Sequence, residues 1–140
     1  MNRADRYVSG MNLKPGEAAY SYKAVGDDQI GLSGDWLIEK EQITSRSNKS
    51  ELTLNFLASQ VYLVMDSNSE KEVTVLLDGQ PLPSKYYTDD MNASGQVKVK
   101  GPRKYDIINL KKEYGRHLLT LIVPEDVSLF AFTFGDESNM

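Results

Sequence analysis

Few residues of this chain have the chemistry for catalysis, and they limit the reactions open to it. Among its 140 residues there is one histidine, His117, and no cysteine. A nucleophilic triad needs a histidine base, but His117 heads an apolar run, a position typical of a structural residue that bonds a nearby turn. The lack of cysteine excludes a CxxC redox centre, a thiol nucleophile, disulfides and cysteine zinc sites. The sequence therefore predicts no catalytic residue, no cofactor and no metal centre.

Carboxylates are the second candidate for chemistry, because paired Asp or Glu residues cleave glycosidic bonds. Two adjacent pairs, Asp27-Asp28 and Asp89-Asp90, lie in loop-like segments with glycine, asparagine and serine. We interpret them as solvated turn residues, and a loop calcium site stays open as an alternative for either pair. No spacing marks two carboxylates as a catalytic pair. A carboxylate-based glycan hydrolase or lyase is therefore the third-ranked of three hypotheses.

The charge of the chain and the length of its apolar runs argue against two classes of partner. With 16 Lys+Arg against 20 Asp+Glu, the net charge is -4, whereas nucleic-acid binding needs a strong positive field. The basic group Lys98, Lys100, Arg103 and Lys104 is best interpreted as a solvated strand face. The longest apolar runs fall far short of the ~20 residues that span a bilayer. We therefore expect no nucleic-acid partner and no direct membrane insertion.

The aromatic residues favour a binding site for sugars. Eight tyrosines and one tryptophan stand beside only four phenylalanines, and flat rings with a polar tip suit stacking on sugar rings. Tyr62 and Tyr105 lie within predicted strands. Arg103, Tyr105 and Asn109 share one strand parity, so a regular strand would place them on one face, where Arg103 and Asn109 could bond hydroxyls. Trp36 is an alternative platform, although the core is its favoured position.

The elements that must position these residues are strands. From Ile30 onward, short apolar runs rich in β-branched and aromatic residues alternate with turn residues. This pattern predicts an all-β domain of about eight strands in two packed sheets, a β-sandwich or jelly roll. The predicted strands cover residues 36–45, 52–56, 61–65, 73–77, 97–99, 103–110, 119–123 and 128–134.

The sequence predicts one domain with two flanking segments. Residues 1–29 are polar and contain Pro15, Gly16 and Gly26, so we interpret them as an irregular N-terminal arm or interdomain linker. Residues 30–135 form the predicted jelly roll, and residues 136–140 a tail. A chain of this length supports one sizeable core rather than two.

A series of short motifs resembles one protein family. The motifs are Leu32-Ser33-Gly34-Asp35-Trp36, Leu76-Leu77-Asp78-Gly79, Arg103-Lys104-Tyr105, Gly115-Arg116-His117-Leu118 and Phe130-Ala131-Phe132-Thr133-Phe134-Gly135. In this order they resemble the C-terminal domain of the DipZ-type thiol-disulfide proteins. In that family a membrane-embedded, CcdA-like cytochrome c biogenesis portion precedes a thioredoxin-like domain. A jelly roll similar to carbohydrate-binding modules and other galactose-binding-like sandwiches ends the chain.

The resemblance implies a fold, a setting and a role. It implies an accessory module in a membrane-anchored or exported parent protein, on the periplasmic or cell-surface side. Because this chain has no cysteine, the redox chemistry of the family does not carry over. The first hypothesis is a non-catalytic module that recognises a glycan or another extracytoplasmic ligand and positions the redox domain. The alternative is a structural domain without a small ligand, which packs on the adjacent thioredoxin-like domain or dimerises.

Overall fold

Alternating apolar residues build antiparallel strands throughout the computed structural model, which describes residues 13–22 and 24–135. These residues form eleven strands and one short 3₁₀ helix, Ser84–Tyr86. The strands are β1 (Gly16–Tyr20), β2 (Ile30–Ile38), β3 (Ile43–Ser45), β4 (Ser50–Ala58), β5 (Gln60–Asp66), β6 (Lys71–Leu77), β7 (Gln80–Pro81), β8 (Gln96–Val99), β9 (Arg103–Asn109), β10 (Gly115–Val123) and β11 (Ser128–Gly135).

The strands form two antiparallel sheets that share β2. In the first sheet, β6 pairs with β10, β10 with β4, and β4 with the start of β2, while β7 and β8 both pair with the outer edge of β6. In the second sheet the order is β1, the end of β2, β3, β11, β5 and β9. The all-β sandwich predicted from the sequence is confirmed.

The passage of β2 from one sheet to the other occurs at Gly34. Residues 30–33 pair with β4, whereas residues 36–38 pair with β3. Between them Gly34 has a φ of 90°, which residues with a Cβ atom rarely adopt. A Cβ atom at this position would lie 2.9 Å from the Cα of Ser50. Glycine is therefore needed here both for backbone conformation and for space.

The core fills the space between the two sheets. Leu52, Leu54 and Phe56 of β4 are buried, as are Leu119 and Leu121 of the neighbouring β10. They alternate with more exposed residues, as expected for strands with one face on the core. Each such side chain contributes about 1.5–3 kcal/mol of burial free energy. The alternation that predicted these strands is therefore also what stabilises the sandwich.

Several strands differ from the prediction. The two-residue β7 was not predicted, and β10 begins at Gly115 rather than at residue 119. The predicted strand 36–45 is two strands, because Glu39 donates its N–H to the carbonyl of Gln42 and closes a turn within it. Strand β2 also begins earlier, at Ile30, and its alternating residues Ile30 and Leu32 are buried in the core. The predicted irregular arm contains β1, whose residues are mostly exposed. The predicted tail, residues 136–140, lies outside the described residues.

Candidate functional site

Trp36, the alternative stacking platform, lies in the core. Its side chain is 0% exposed, and its indole N–H donates a hydrogen bond of 3.0 Å to the carbonyl of Ser33. Neither face of the ring is open to a ligand. A fully buried indole with a bonded N–H is a structural residue, which agrees with the position favoured by the sequence.

Tyr105 is also enclosed, because its hydroxyl organises the turn before β9. The side chain is 1% exposed. Its oxygen accepts a hydrogen bond from the Lys100 N–H at 2.9 Å and lies 2.8 Å from the carbonyl oxygens of both Lys100 and Gly101. The Arg103 guanidinium lies 4.0 Å from the ring centroid and covers the ring at the surface. Stacking of a sugar on Tyr105 would require displacement of these groups.

The expected common face of β9 is interrupted by a bulge. Tyr62 of β5 pairs with Asp106, but the preceding residue Val61 pairs with Ile108, so Ile107 is an extra residue. Both Ile107 and Ile108 are buried. The prediction of one common face for Arg103, Tyr105 and Asn109 is therefore wrong, because the β-bulge shifts the alternation and Asn109 does not share the orientation of Tyr105. The side-chain oxygen of Asn109 instead accepts the N–H of Lys111 at 2.8 Å.

Hydrogen bonds from Arg103 and Asp106 of β9 hold the loop that contains Thr88 and Asp90 against this strand. The Arg103 guanidinium bonds Asp90 Oδ1 at 2.5 Å, and Asp90 Oδ2 accepts the Asp106 backbone N–H at 2.7 Å. Thr88 adds a hydrogen bond from its hydroxyl to the Asp106 carbonyl. Burial alone would raise the pKa of Asp90, but the hydrogen bonds from Arg103 and Asp106 outweigh it and lower that pKa. We call Arg103, Tyr105, Asp106, Asp89 and Asp90 the β9 cluster.

Asp106 is the electrostatically unfavourable member of this cluster. Burial, followed by repulsion from Asp90 and Asp89, raises the pKa of its carboxyl group to about 6. Its Oδ1 atom is buried and has no hydrogen-bond partner. Tyr62, its partner across the strands, has a raised pKa through burial and then through the Asp106 charge. The Lys104 ammonium lies 4.8 Å from the centroid of the Tyr62 ring, and the Tyr62 hydroxyl donates a hydrogen bond of 2.6 Å to the Gln60 side chain.

His117 has the turn partner that the sequence predicted. Its Nδ1 atom lies 2.6 Å from Asp78 Oδ2, and Asp78 Oδ1 accepts the Leu118 N–H at 2.9 Å. Asp78 and Gly79 have positive φ angles in the turn between β6 and β7. This arrangement closes a hairpin. The predicted contact of His117 with a nearby turn is confirmed.

A pocket of about 270 Å³ opens at a different place, along the edge of β4. Phe134 of β11, 39% exposed, supplies an aromatic wall, and residues 54–57 of β4 supply the floor and one side. We call this site the β4 pocket; its lining residues are Asp28, Leu54, Asn55, Phe56, Leu57 and Phe134. The ring of Phe132 stacks on Phe134 at 6.2 Å between centroids, with 16° between the planes. One face of the Phe134 ring is thus held in place by a neighbour.

The polar rim of the β4 pocket is held by Arg116. Its Nη1 atom lies 2.9 Å from Asn55 Oδ1, 3.3 Å from Asp28 Oδ1 and 3.8 Å from Asp27 Oδ1. The Asn55 amide in turn donates to the carbonyl of Val25 at 3.1 Å. These contacts fix the loop around Asp28 while its carboxylate stays largely exposed. The rim therefore presents a positioned hydrogen-bond acceptor beside an aromatic ring.

Backbone groups of β4 also face this pocket. Asn55 donates its N–H to the Gln29 carbonyl and accepts the Asp28 N–H, so its backbone points away from β10. Residues two apart in a strand direct their backbone groups to the same edge, which gives Leu57 the same orientation. Pairing of β2 with β4 ends at Leu54, and no described strand pairs with Leu57 on this side. Leu57 is 44% exposed and offers one donor and one acceptor.

The two aspartate pairs for which a calcium site is an open alternative have cationic partners. Asp90 bonds Arg103, while Asp27 and Asp28 lie beside Arg116. Within residues 13–22 and 24–135, no three Asp, Glu or His side chains are grouped as metal ligands. In the same described ranges, no helix has the length and apolar character needed to cross a membrane.

A family model described as the thioredoxin-like C-terminal domain matches residues 1–135. The chain belongs to this family. No curated protein matches this thioredoxin-like C-terminal domain.

Two solved structures have a similar fold. One is a family two carbohydrate esterase from Clostridium thermocellum in complex with cellohexaose, at 19% identity and a TM-score of 0.54. The other is an active-site mutant of a family two carbohydrate esterase from the same organism, at 17% identity and a TM-score of 0.56. The match with the first structure covers 69% of this chain and 28% of the esterase chain. The match with the second covers 87% of this chain and 32% of the esterase chain. The likeness therefore concerns the fold of one part of those enzymes.

Proposed function

We propose that this domain is a non-catalytic, carbohydrate-binding-like module of an extracytoplasmic, DipZ-type thioredoxin-like thiol-disulfide protein. It recognises a glycan or another extracytoplasmic ligand and holds the redox domain near its targets. The observation that carries this proposal is the β4 pocket. There an exposed aromatic ring, Phe134, adjoins open space, the Asp28 carboxylate and the backbone of Leu57. Sites for small ligands combine such an apolar wall with a few positioned polar groups.

The chemistry of this pocket suits a sugar. A sugar ring has apolar C–H faces that pack on an aromatic ring, and hydroxyls that bond carboxylates and backbone groups. Membership in the thioredoxin-like C-terminal domain family supports the attachment to a redox domain. The cellohexaose complex of the similar esterase supports a carbohydrate as the ligand class to test first.

A glycan titration followed by ¹H–¹⁵N NMR tests this function. We expect at least one oligosaccharide, at millimolar concentration, to shift the amide signals of Asp28, Leu57 and Phe134. Phe134→Ala should abolish the response. Tyr62→Ala, which removes a partly exposed ring on the neighbouring strand, should preserve it. If no glycan in a broad panel shifts any signal, glycan recognition is overturned.

A second function, docking of the adjacent thioredoxin-like domain, is favoured by the outer face of the first sheet. This face has no charged side chain at its central positions, while Glu51, Glu72 and Arg116 lie at its margins. The accessible central positions are Asn55, Leu57, Thr74, Leu76, Leu118, Thr120 and Ile122, whereas Thr53 is buried and accepts a hydrogen bond from the Tyr22 hydroxyl. Leu57 and Leu118 are among the exposed large apolar residues. Depletion of charge is typical of the centre of a protein interface.

Mixing this domain with the separately produced thioredoxin-like domain of its parent protein tests the second function. Docking predicts a complex in sedimentation and shifted signals on β4, β6 and β10. Leu118→Glu should prevent the complex. Thr133→Glu, at an exposed position of the second sheet, should leave it intact. Two species that sediment separately would overturn docking without affecting the glycan proposal.

A further inference from the structure

The geometry of the β4 pocket points to a specific ligand class, an inference that rests on the proposed function. We infer that the pocket binds the terminal ring of an uncharged glycan. In this arrangement the ring packs on Phe134, one hydroxyl donates to the Asp28 carboxylate, and a neighbouring hydroxyl bonds the backbone of Leu57. Three properties of the pocket carry this inference: its size, its charge and its rigidity.

The size of the pocket suits one ring. Its volume of about 270 Å³ lies below the roughly 300–1,000 Å³ of pockets that take drug-sized ligands. Its lining along β4 extends over residues 54–57, which is about 10 Å at the rise of an extended strand. The remaining walls are one residue of the preceding loop, Asp28, and one of β11, Phe134. Such a short lining contacts one sugar residue rather than a run of several.

The charge of the rim disfavours acidic sugars. Arg116 is the cation at this rim, and its guanidinium lies against the carboxylates of Asp27 and Asp28 and the amide oxygen of Asn55. Two acidic groups against one basic group leave the rim with a net negative charge. Because Asp27 and Asp28 share a single arginine, the carboxylate of a uronic acid would lie near uncompensated negative charge. Like charges at short range repel. An uncharged sugar adds no negative charge, and one of its hydroxyls can donate a hydrogen bond to the exposed Asp28 carboxylate.

The binding groups are fixed before a ligand arrives. Phe132 supports one face of Phe134, Arg116 holds Asp28 and Asn55, and Asn55 holds the loop through Val25. The groups offered by Leu57 belong to the backbone of a paired strand. Little ordering is therefore required on binding, and a small ligand gains affinity mainly through such preorganisation.

An affinity series by NMR titration tests the inference. Probes are neutral monosaccharides, glucose, galactose, mannose and N-acetylglucosamine, cellobiose and cellohexaose, and the matched acids glucuronate and galacturonate. We expect a neutral sugar to shift Leu57 and Phe134, with less than about threefold gain in affinity from disaccharide to hexasaccharide. The matched uronate should bind at least tenfold more weakly, about 1.4 kcal/mol. Asp28→Asn should reduce that discrimination, whereas Asp89→Asn in the β9 cluster should not.

The possible failures are separable. Affinity that rises with each added ring, or a uronate that binds better than its neutral counterpart, would overturn this inference while leaving glycan recognition intact. Absence of binding by every neutral and acidic sugar, in a broad panel, would overturn the inference together with glycan recognition itself. Shifts confined to the β9 cluster, unaffected by Phe134→Ala, would place glycan recognition elsewhere and overturn the assignment to this pocket.

Discussion

The β9 cluster and the β4 pocket contain nearly the same set of residue types. Each combines an arginine, an adjacent pair of aspartates and an aromatic ring. In the β9 cluster the ring of Tyr105 is buried and Arg103 lies 4.0 Å above it. In the β4 pocket the ring of Phe134 borders about 270 Å³ of open space. The difference indicates that the same residue types form a closed structural cluster in one place and border open space in the other.

Trp36→Ala should have the largest effect on stability and no effect on ligand binding. Trp36→Ala removes a 0% exposed side chain, so we expect it to lower the free energy of unfolding by about 3–5 kcal/mol, including the cavity that it leaves. Urea denaturation followed by circular dichroism measures this loss. The folded fraction should bind ligands at the β4 pocket with unchanged affinity. Loss of binding by a variant of normal stability would make Trp36 a ligand platform after all.

Tyr105→Phe should have the next largest effect. It removes a hydroxyl that bonds the backbone of Lys100 and Gly101, leaving polar groups without partners. We expect a loss of about 1–3 kcal/mol in unfolding free energy, with no change in glycan affinity. Tyr62→Phe is the matched control, since its hydroxyl bonds a side chain, Gln60, near the surface. Equal stability losses in the two variants would contradict the structural role of Tyr105.

Asp106→Asn should stabilise the domain at neutral pH. The fold raises the pKa of this carboxyl to about 6, so the native state retains the proton to higher pH than the unfolded chain. This group's contribution to stability is fully present below pH ~4 and is lost as the pH rises through about 6. With partial solvent exposure taken into account, the gain at pH 7 is about 1–2 kcal/mol. It should vanish at pH 4, as measured by denaturation at both pH values; a gain that does not depend on pH would exclude the carboxyl charge as its cause.

Substitution of either arginine should have the smallest effect on stability, and the two variants should differ in ligand binding. Both form partly exposed ion pairs, so Arg103→Gln and Arg116→Gln should each change unfolding free energy by less than about 1 kcal/mol. Their effects on binding should differ. Arg116→Gln releases the loop at Asp28 and should weaken glycan binding severalfold by NMR titration, whereas Arg103→Gln should leave it unchanged. The reverse result would exchange the roles of the two regions.

Local pattern predicted most of the fold and little of the site. The central parts of β4 and β10, residues 52–56 and 119–123, were predictable because every second residue there is apolar. The bulge at Ile107 and the turn within 36–45 were not, since both depend on which strand lies alongside. The β4 pocket has the same origin: it exists because β2 begins only at Ile30, opposite Leu54, and no described strand pairs with Leu57 on this side of β4. Asp28 and Phe134 were visible as a turn residue and a strand residue, but nothing local brings them together.

The order of the strands has a consequence for the synthesis of this protein. Strand β10 lies between β4 and β6, and β11 lies between β3 and β5. The central strand of one sheet and a strand inside the other therefore leave the ribosome after their partners have been made. Until then the nascent chain holds unpaired strand edges and incomplete apolar faces, the states most prone to aggregate. Interrupted translation in this region would leave two open half-sheets, so we expect folding to be a late, single event.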